Sequence, residues 1–236
     1  MKIVNIGVGA WYPKGSKRLR SILLEQGLKE NDFIIESFAR LDGQHTRYRG
    51  YEAKLEFIER MLNGGDDILW LDCSVVPMQN IKEIIAYIQS HDMWQHLGCW
   101  AYKTGYTIRQ SVNDQAFNKS KLQLKDLDLP EFATTVFALK NGSFIHKEFI
   151  RLYHEGAHIG SRDYDAKESK REGYLFHRQD QSCMTLAINA ASRNAIAIAD
   201  NLGDVVNYNY TGVDVDKSKL FLIAGGYGKE LPEIHL

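Results

Sequence analysis

Asp67-Ile68-Leu69-Trp70-Leu71-Asp72-Cys73-Ser74 is the stretch that decides the fold of this chain. Ile68 to Leu71 form an unbroken apolar run, the pattern of a strand covered on both faces, as in a parallel sheet. The run stops abruptly at Asp72. In open α/β sheets ligands bind beyond the carboxyl ends of the strands. A carboxylate stationed at such an end is therefore a candidate for ligand chemistry. The alternative is a turn residue that caps the following segment.

Working outward, the preceding segment Tyr51–Leu62 has helical spacing, with Lys54, Phe57, Ile58, Met61 and Leu62 on one stripe and Gly64-Gly65 as the stop. Further upstream, Ile3–Val8 is a short apolar run broken by Asn5 that ends in Gly7-Val8-Gly9. It is read as a first buried strand entering a tight loop, Trp11-Tyr12-Pro13-Lys14-Gly15. Ser16 is read as the cap of a helix that runs to about Gly27, and Phe33–Phe38 as a second strand. Downstream, Asn80 and Glu83 have capping-box spacing ahead of Ile84, Ile85 and Ile88. Strands and helices alternating in this rhythm predict an α/β fold with a mostly parallel sheet.

The later sequence is less regular. Residues 103 to 130 are polar and read as an insertion, with Lys119–Asp128 unassigned. Phe132–Leu139 is read as a strand, Asn141-Gly142 as a turn and Phe144–His154 as a helix. The charged stretch 160–176 is a candidate lid or an ordinary solvated loop. Asp180–Ala191 is read as a helix, and Ala195–Ala199 and Phe221–Ala224 as late strands.

Length and composition set the outer limits. The 236 residues suit one α/β domain, with 44% hydrophobic and 25% charged residues and a formal net charge of -1. That balance gives no global field for nucleic acid or an anionic membrane. Cys73, Cys99 and Cys183 are far apart, as in a protein with reduced thiols, so a cytoplasmic setting is expected. The first ten residues lack the apolar core of a signal peptide, and no stretch of about 18 uncharged apolar residues offers a membrane span.

The order of motifs resembles the nucleotide-sugar glycosyltransferases of the GT-A fold. In that family a Lys or Arg on a helix precedes a strand that ends in Asp-x-Asp, matched here by Lys54 and by Asp72-Cys73-Ser74. Phe137-Ala138-Leu139-Lys140-Asn141-Gly142 is similar to the family's interior strand with its Lys/Arg-Asn end, and His177-Arg178-Gln179-Asp180-Gln181 to its late Asp-Gln motif. The resemblance implies a single GT-A-like domain over residues 1–236, with a nucleotide-binding part near 1–100 and an acceptor-side part near 101–236. It implies a nucleotide-sugar donor and a glycan, small-molecule or protein acceptor. Gly9, Trp11, Lys54, Asp72 and Ser74 would bind the donor, and Asp72 and Asp180 would carry the catalysis.

A divalent cation, Mn or Mg, would sit on Asp72 in that scheme. Ser74 replaces the second acid of the motif, so the cation site loses a formal charge. Another group compensates, the metal binds weakly, or the enzyme works without it. Asp180 has an alternative reading as a helix-start carboxylate, Trp11 and Tyr12 as packing residues, and Lys54 as a snorkelling surface lysine. Arg47 and Arg49 are alternates to Lys54; Cys73 is weighed as a nucleophile, Lys229 as a late cation and His235 as a late ligand. Two rival functions remain: a sugar-nucleotide nucleotidyltransferase, weakened by the irregular glycine loop, and an inactive nucleotide-sugar-binding protein, favoured by Ser74.

Overall fold

A computed structural model describes residues 1–9, 12–38, 51–160, 168–209, 216 and 218–224. Trp11, Arg47, Arg49, Lys229, His235 and positions 161–167 of the lid candidate lie outside the described residues. The fold class is the one the alternation predicts: α/β, with a mixed, mostly parallel central sheet flanked by helices. The chain forms two compact units, Met1–Ser90 with Gly203–Leu236, and His91–Leu202.

In the first unit the order is β1 (Lys2–Val8), α1 (Tyr12–Glu25), β2 (Phe33–Phe38), α2 (Tyr51–Asn63), β3 (Ile68–Leu71), β4 (Val75–Pro77) and α3 (Ile81–Ser90). Strand β1 pairs in parallel with both β2 and β3, in a register that sets Ile3 opposite Phe33 and Val4 opposite Trp70. All four residues of β3 are buried, as a strand covered on both faces requires. Leu19, Leu23, Leu55, Ile58 and Leu62 from α1 and α2 are fully buried, as are Ile3 and Val4 of β1. Each such aliphatic side chain contributes roughly 1.5–3 kcal/mol on leaving water. The chain end returns as β9 (Val206–Asn209) and β10 (Phe221–Ala224), with β10 antiparallel to β4 and parallel to β9.

Helix α1 starts at Tyr12, a full turn before the Ser16 cap read from the sequence, with Pro13 in the first turn where its missing N–H costs nothing. Ser16 is buried and donates its hydroxyl to the Asn5 side chain at 2.6 Å. Asn5 in turn donates to the Leu71 carbonyl at 2.6 Å. The polar break in the first strand is thus a tie between β1, α1 and the end of β3. Gly15 and Gly7 allow this close contact: an added Cβ would strike the Cys73 carbonyl from the first and the Ser16 hydroxyl from the second.

The second unit holds α4 (Asp92–Leu97), β5 (Cys99–Trp100), β6 (Lys103–Thr107), α5 (Ile108–Ser111), α6 (Asp114–Asn118), β7 (Pro130–Phe132), β8 (Val136–Leu139), α7 (Phe144–His154), α8 (Asp180–Ala191) and α9 (Ala195–Ile198). Strand β5 is antiparallel to β8, and β6 to β7. Three expectations are corrected here. The stretch 103–130 is ordered, its first and last residues paired as β6 and β7. The strand expected over 132–139 is two strands, broken at residues 133–135, where Thr134 turns its backbone N–H to Gln181 and its hydroxyl to Asp180. Ala195–Ile198 is a helix and not a strand.

Candidate functional site

The carboxyl ends of β1 and β3 share one edge of the parallel sheet, and Gly9, Asp72 and Ser74 lie at that edge. Gly9 has φ 99 and donates its N–H to the Phe38 carbonyl at 2.9 Å. A side chain at Gly9 would meet open space, so its conformation alone selects glycine there.

Asp72 follows a strand in which alternate residues share a face, which puts the Trp70 side chain beside its carboxylate. The indole N–H of Trp70 donates to Asp72 Oδ1 at 2.6 Å. Lys54 Nζ reaches the same oxygen at 3.0 Å and lies 4.8 Å above the Trp70 ring. Phe57, one turn on from Lys54, packs edge-on against Trp70 with ring centroids 6.3 Å apart. The Lys54 side chain is 10% exposed and that of Asp72 34%. A buried stem on the apolar stripe thus delivers the ammonium to the strand end, and a partly open carboxylate receives it. Lys54 is no snorkelling surface lysine.

Cys73 turns inward. Its sulfur lies 3.4 Å from Asn5 Nδ2 and 3.3 Å from Ser16 Oγ. Burial pushes the thiol up, against the hydrogen bonds of Ser16 and Asn5, which disfavours the thiolate that a nucleophile needs. Arg18 Nη2, from the second turn of α1, donates to the Cys73 carbonyl at 3.0 Å. Burial lowers the Arg18 pKa, and the nearby Cys73 opposes that shift.

Sequence reasoning missed Arg18, Asn5 and Trp70. Asn5 carried a signal, a polar residue inside an apolar strand, and so did Trp70, two positions before the acid on the same face. Arg18 carried none.

The donor set is a poor match for a divalent cation. Asp72 Oδ1 already accepts from an ammonium and an indole, and Ser74 adds only a neutral hydroxyl. Among the described residues no group of three or more His, Cys, Asp or Glu side chains is arranged to hold a metal ion.

In the second unit Asp180 opens α8 and is 3% exposed, accepting the Thr134 hydroxyl at 2.7 Å. Gln179, which precedes it, has φ 44, a left-handed value unusual for a residue other than glycine. His177 is fully buried. Its Nδ1 accepts the Asn113 N–H at 3.2 Å, and burial pushes its pKa down to about 4. Its Nε2 is buried without a hydrogen-bond partner. Cys99 and Cys183 are buried thiols pushed up by desolvation.

No protein-family model matches the sequence, and no curated protein matches it. Among solved structures, the galactosyltransferase LgtC, in complex with donor and acceptor sugar analogs, is similar over 96% of this chain and 87% of that one, at 12% identity and a TM-score of 0.45. A likeness of that extent defines neither family nor activity. Among the described residues no helix is long and apolar enough to cross a membrane.

Proposed function

We propose that this chain is a glycosyltransferase of GT-A type, which moves a sugar from a nucleoside-diphosphate donor to an acceptor hydroxyl. The observation that carries the reading is Asp72: a partly exposed carboxylate at the end of a buried parallel strand, fixed by Lys54 and the Trp70 indole. A turn residue with a merely local task has no need of a buried lysine delivered from another helix.

In the reaction the bond between the sugar's anomeric carbon and the diphosphate oxygen breaks, and the acceptor oxygen bonds to that carbon and gives up its proton. The nucleoside diphosphate leaves with the bonding electron pair, so charge grows on the leaving group and must be met by fixed positive groups. Asp72 and Lys54 frame the donor end of the site, and Gly9 and Ser74 border it. Asp180 is assigned to the acceptor on the motif that contains it; its buried carboxylate, which accepts the Thr134 hydroxyl, would have to open to the acceptor to serve as base or as stabiliser of the positive charge on the sugar. No step is routed through a metal, since the donor set around Asp72 does not suit one.

A second reading, a nucleotide-sugar-binding protein without turnover, is favoured by Ser74. One experiment separates the two. Nucleotide sugars that raise the melting temperature are identified first, and transfer to a panel of acceptors is then measured in the native chain and in Asp72→Ala. Transfer that vanishes in a folded Asp72→Ala supports the enzyme. Full transfer in that variant defeats the role of Asp72, and binding without turnover across the acceptor panel supports the second reading.

A further inference from the structure

Two cationic side chains touch the turn at the end of β3, and the Asp72 carboxylate pairs with the first of them. Lys54 Nζ lies 3.0 Å from Asp72 Oδ1, and Arg18 Nη2 lies 3.0 Å from the Cys73 carbonyl. Ser74 contributes no charge. Arg18 forms no ion pair among the described residues, and its Nε is buried without a hydrogen-bond partner. A partly buried guanidinium held only by a carbonyl is an uncompensated charge, which is costly unless an anion comes to it. Arg18 is therefore a positive charge with no ionic partner among the described residues, the opposite of what a divalent cation needs beside it and the condition that attracts an anion.

We propose that Arg18, together with Lys54, binds the diphosphate of the donor in place of a divalent cation. This rests on the glycosyltransferase reading and names how its donor end works. Two features suit Arg18 to the task. Its hydrogen bond to the Cys73 carbonyl orients the planar fork, and a guanidinium matches phosphate oxygens two at a time. Its place on α1 is fixed by contacts of the same helix: Gly15 lies against the Cys73 carbonyl, and Ser16 is tied to Asn5. The replacement of the second motif acid by Ser74 then has a physical reason. An acid there would follow directly on the carbonyl that Arg18 holds and would add a negative charge to the turn that receives the phosphates.

The test measures binding of uridine, guanosine, adenosine, cytidine and thymidine diphosphates to the intact chain by calorimetry, with EDTA and with manganese. Binding of at least one diphosphate in EDTA is expected, changed less than about twofold by manganese. Arg18→Met should weaken it about tenfold or more, the loss of one charge-assisted hydrogen bond, and Arg18→Lys should weaken it less. Melting temperatures without nucleotide confirm that each variant is folded, and the comparison of EDTA with manganese needs no variant. Binding that appears only with manganese, or that is unchanged in Arg18→Met, overturns the inference and leaves the glycosyltransferase reading standing. No binding of any nucleoside diphosphate or nucleotide sugar in either condition overturns both.

Discussion

Replacing Lys54 by Met tests the arrangement at the strand end, because methionine keeps the apolar stem and removes only the ammonium. At 3.0 Å two unit charges in a medium of effective dielectric near 20 attract by about 5–6 kcal/mol before desolvation is counted. Two limits bracket the net value. Exposed pairs contribute about 0–1 kcal/mol, and removing one partner of a buried pair costs about 3–5 kcal/mol. The pair lies between them, with Lys54 10% exposed and Asp72 34%. The ammonium also loses its place over the Trp70 ring, worth about 0.5–1 kcal/mol. Lys54→Met should therefore lower the unfolding free energy by about 1.5–3 kcal/mol. Asp72→Asn, which removes the carboxylate from the pair, should cost a similar amount. Urea titrations of both single variants and the double variant give the coupling directly. The double variant should cost less than the sum of the singles by about 1–2 kcal/mol. If the costs add to within about 0.5 kcal/mol, the two groups do not hold each other and the site reading loses its anchor.

Two other outcomes follow from contacts on either side of that pair. Gly15→Ala should destabilise the chain by about 1–3 kcal/mol, since the new methyl collides with a backbone carbonyl that cannot rotate away; an unchanged melting temperature would show that α1 is not seated on the Cys73 turn. His177 supplies a pH signature. Its folded pKa of about 4 lies below the ordinary value near 6.5, so its contribution is complete above pH 6.5 and is lost as pH falls toward 4. The loss amounts to about 3 kcal/mol at most. Glu148, held low by Arg151, acts in a lower window, below the usual carboxylate range. Urea midpoints between pH 7 and 4.5 should fall in the native chain and fall less steeply in His177→Gln. Equal slopes in the two chains would remove His177 as the cause.

The elements around the candidate site were legible because their signals are local. Ile68–Leu71 had to be a doubly covered strand, and the stripe through Lys54, Phe57 and Ile58 had to be a buried helix face. The misread segments are those in which the local signal is ambiguous or the partner is distant. Ala195-Ile196-Ala197-Ile198-Ala199 alternates like a strand, yet Ala195 and Ala199, one helical turn apart, are buried and Ala197 is exposed. Strands β6 and β7 find each other across more than twenty intervening residues, and β6 is nowhere fully buried, so neither has the hydrophobic pattern that marks a strand. Thr134 broke the expected strand through side-chain bonds to α8, a contact that propensity does not encode.

For the site itself, the position of Asp72 could be read from the sequence, but the sign of its surroundings could not. A carboxylate at a strand end next to a serine suggests a weakened cation site if only the motif is considered. The lysine turns the same carboxylate into half of an ion pair, and the arginine from α1 brings to the turn a charge with no ionic partner among the described residues. Neither cation is near Asp72 in sequence: Lys54 arrives on α2, whose Phe57 packs on Trp70 of β3, and Arg18 arrives on α1, which packs on β1 and reaches the Cys73 carbonyl. Chemistry at the end of a parallel strand is therefore decided by the helices covering its sheet as much as by the residues that terminate it. Ser74 and Arg18 have to be judged together: Arg18 holds the carbonyl of the residue before Ser74 and has no ionic partner among the described residues, so with a neutral serine at position 74 its charge is available to the phosphates of the proposed donor.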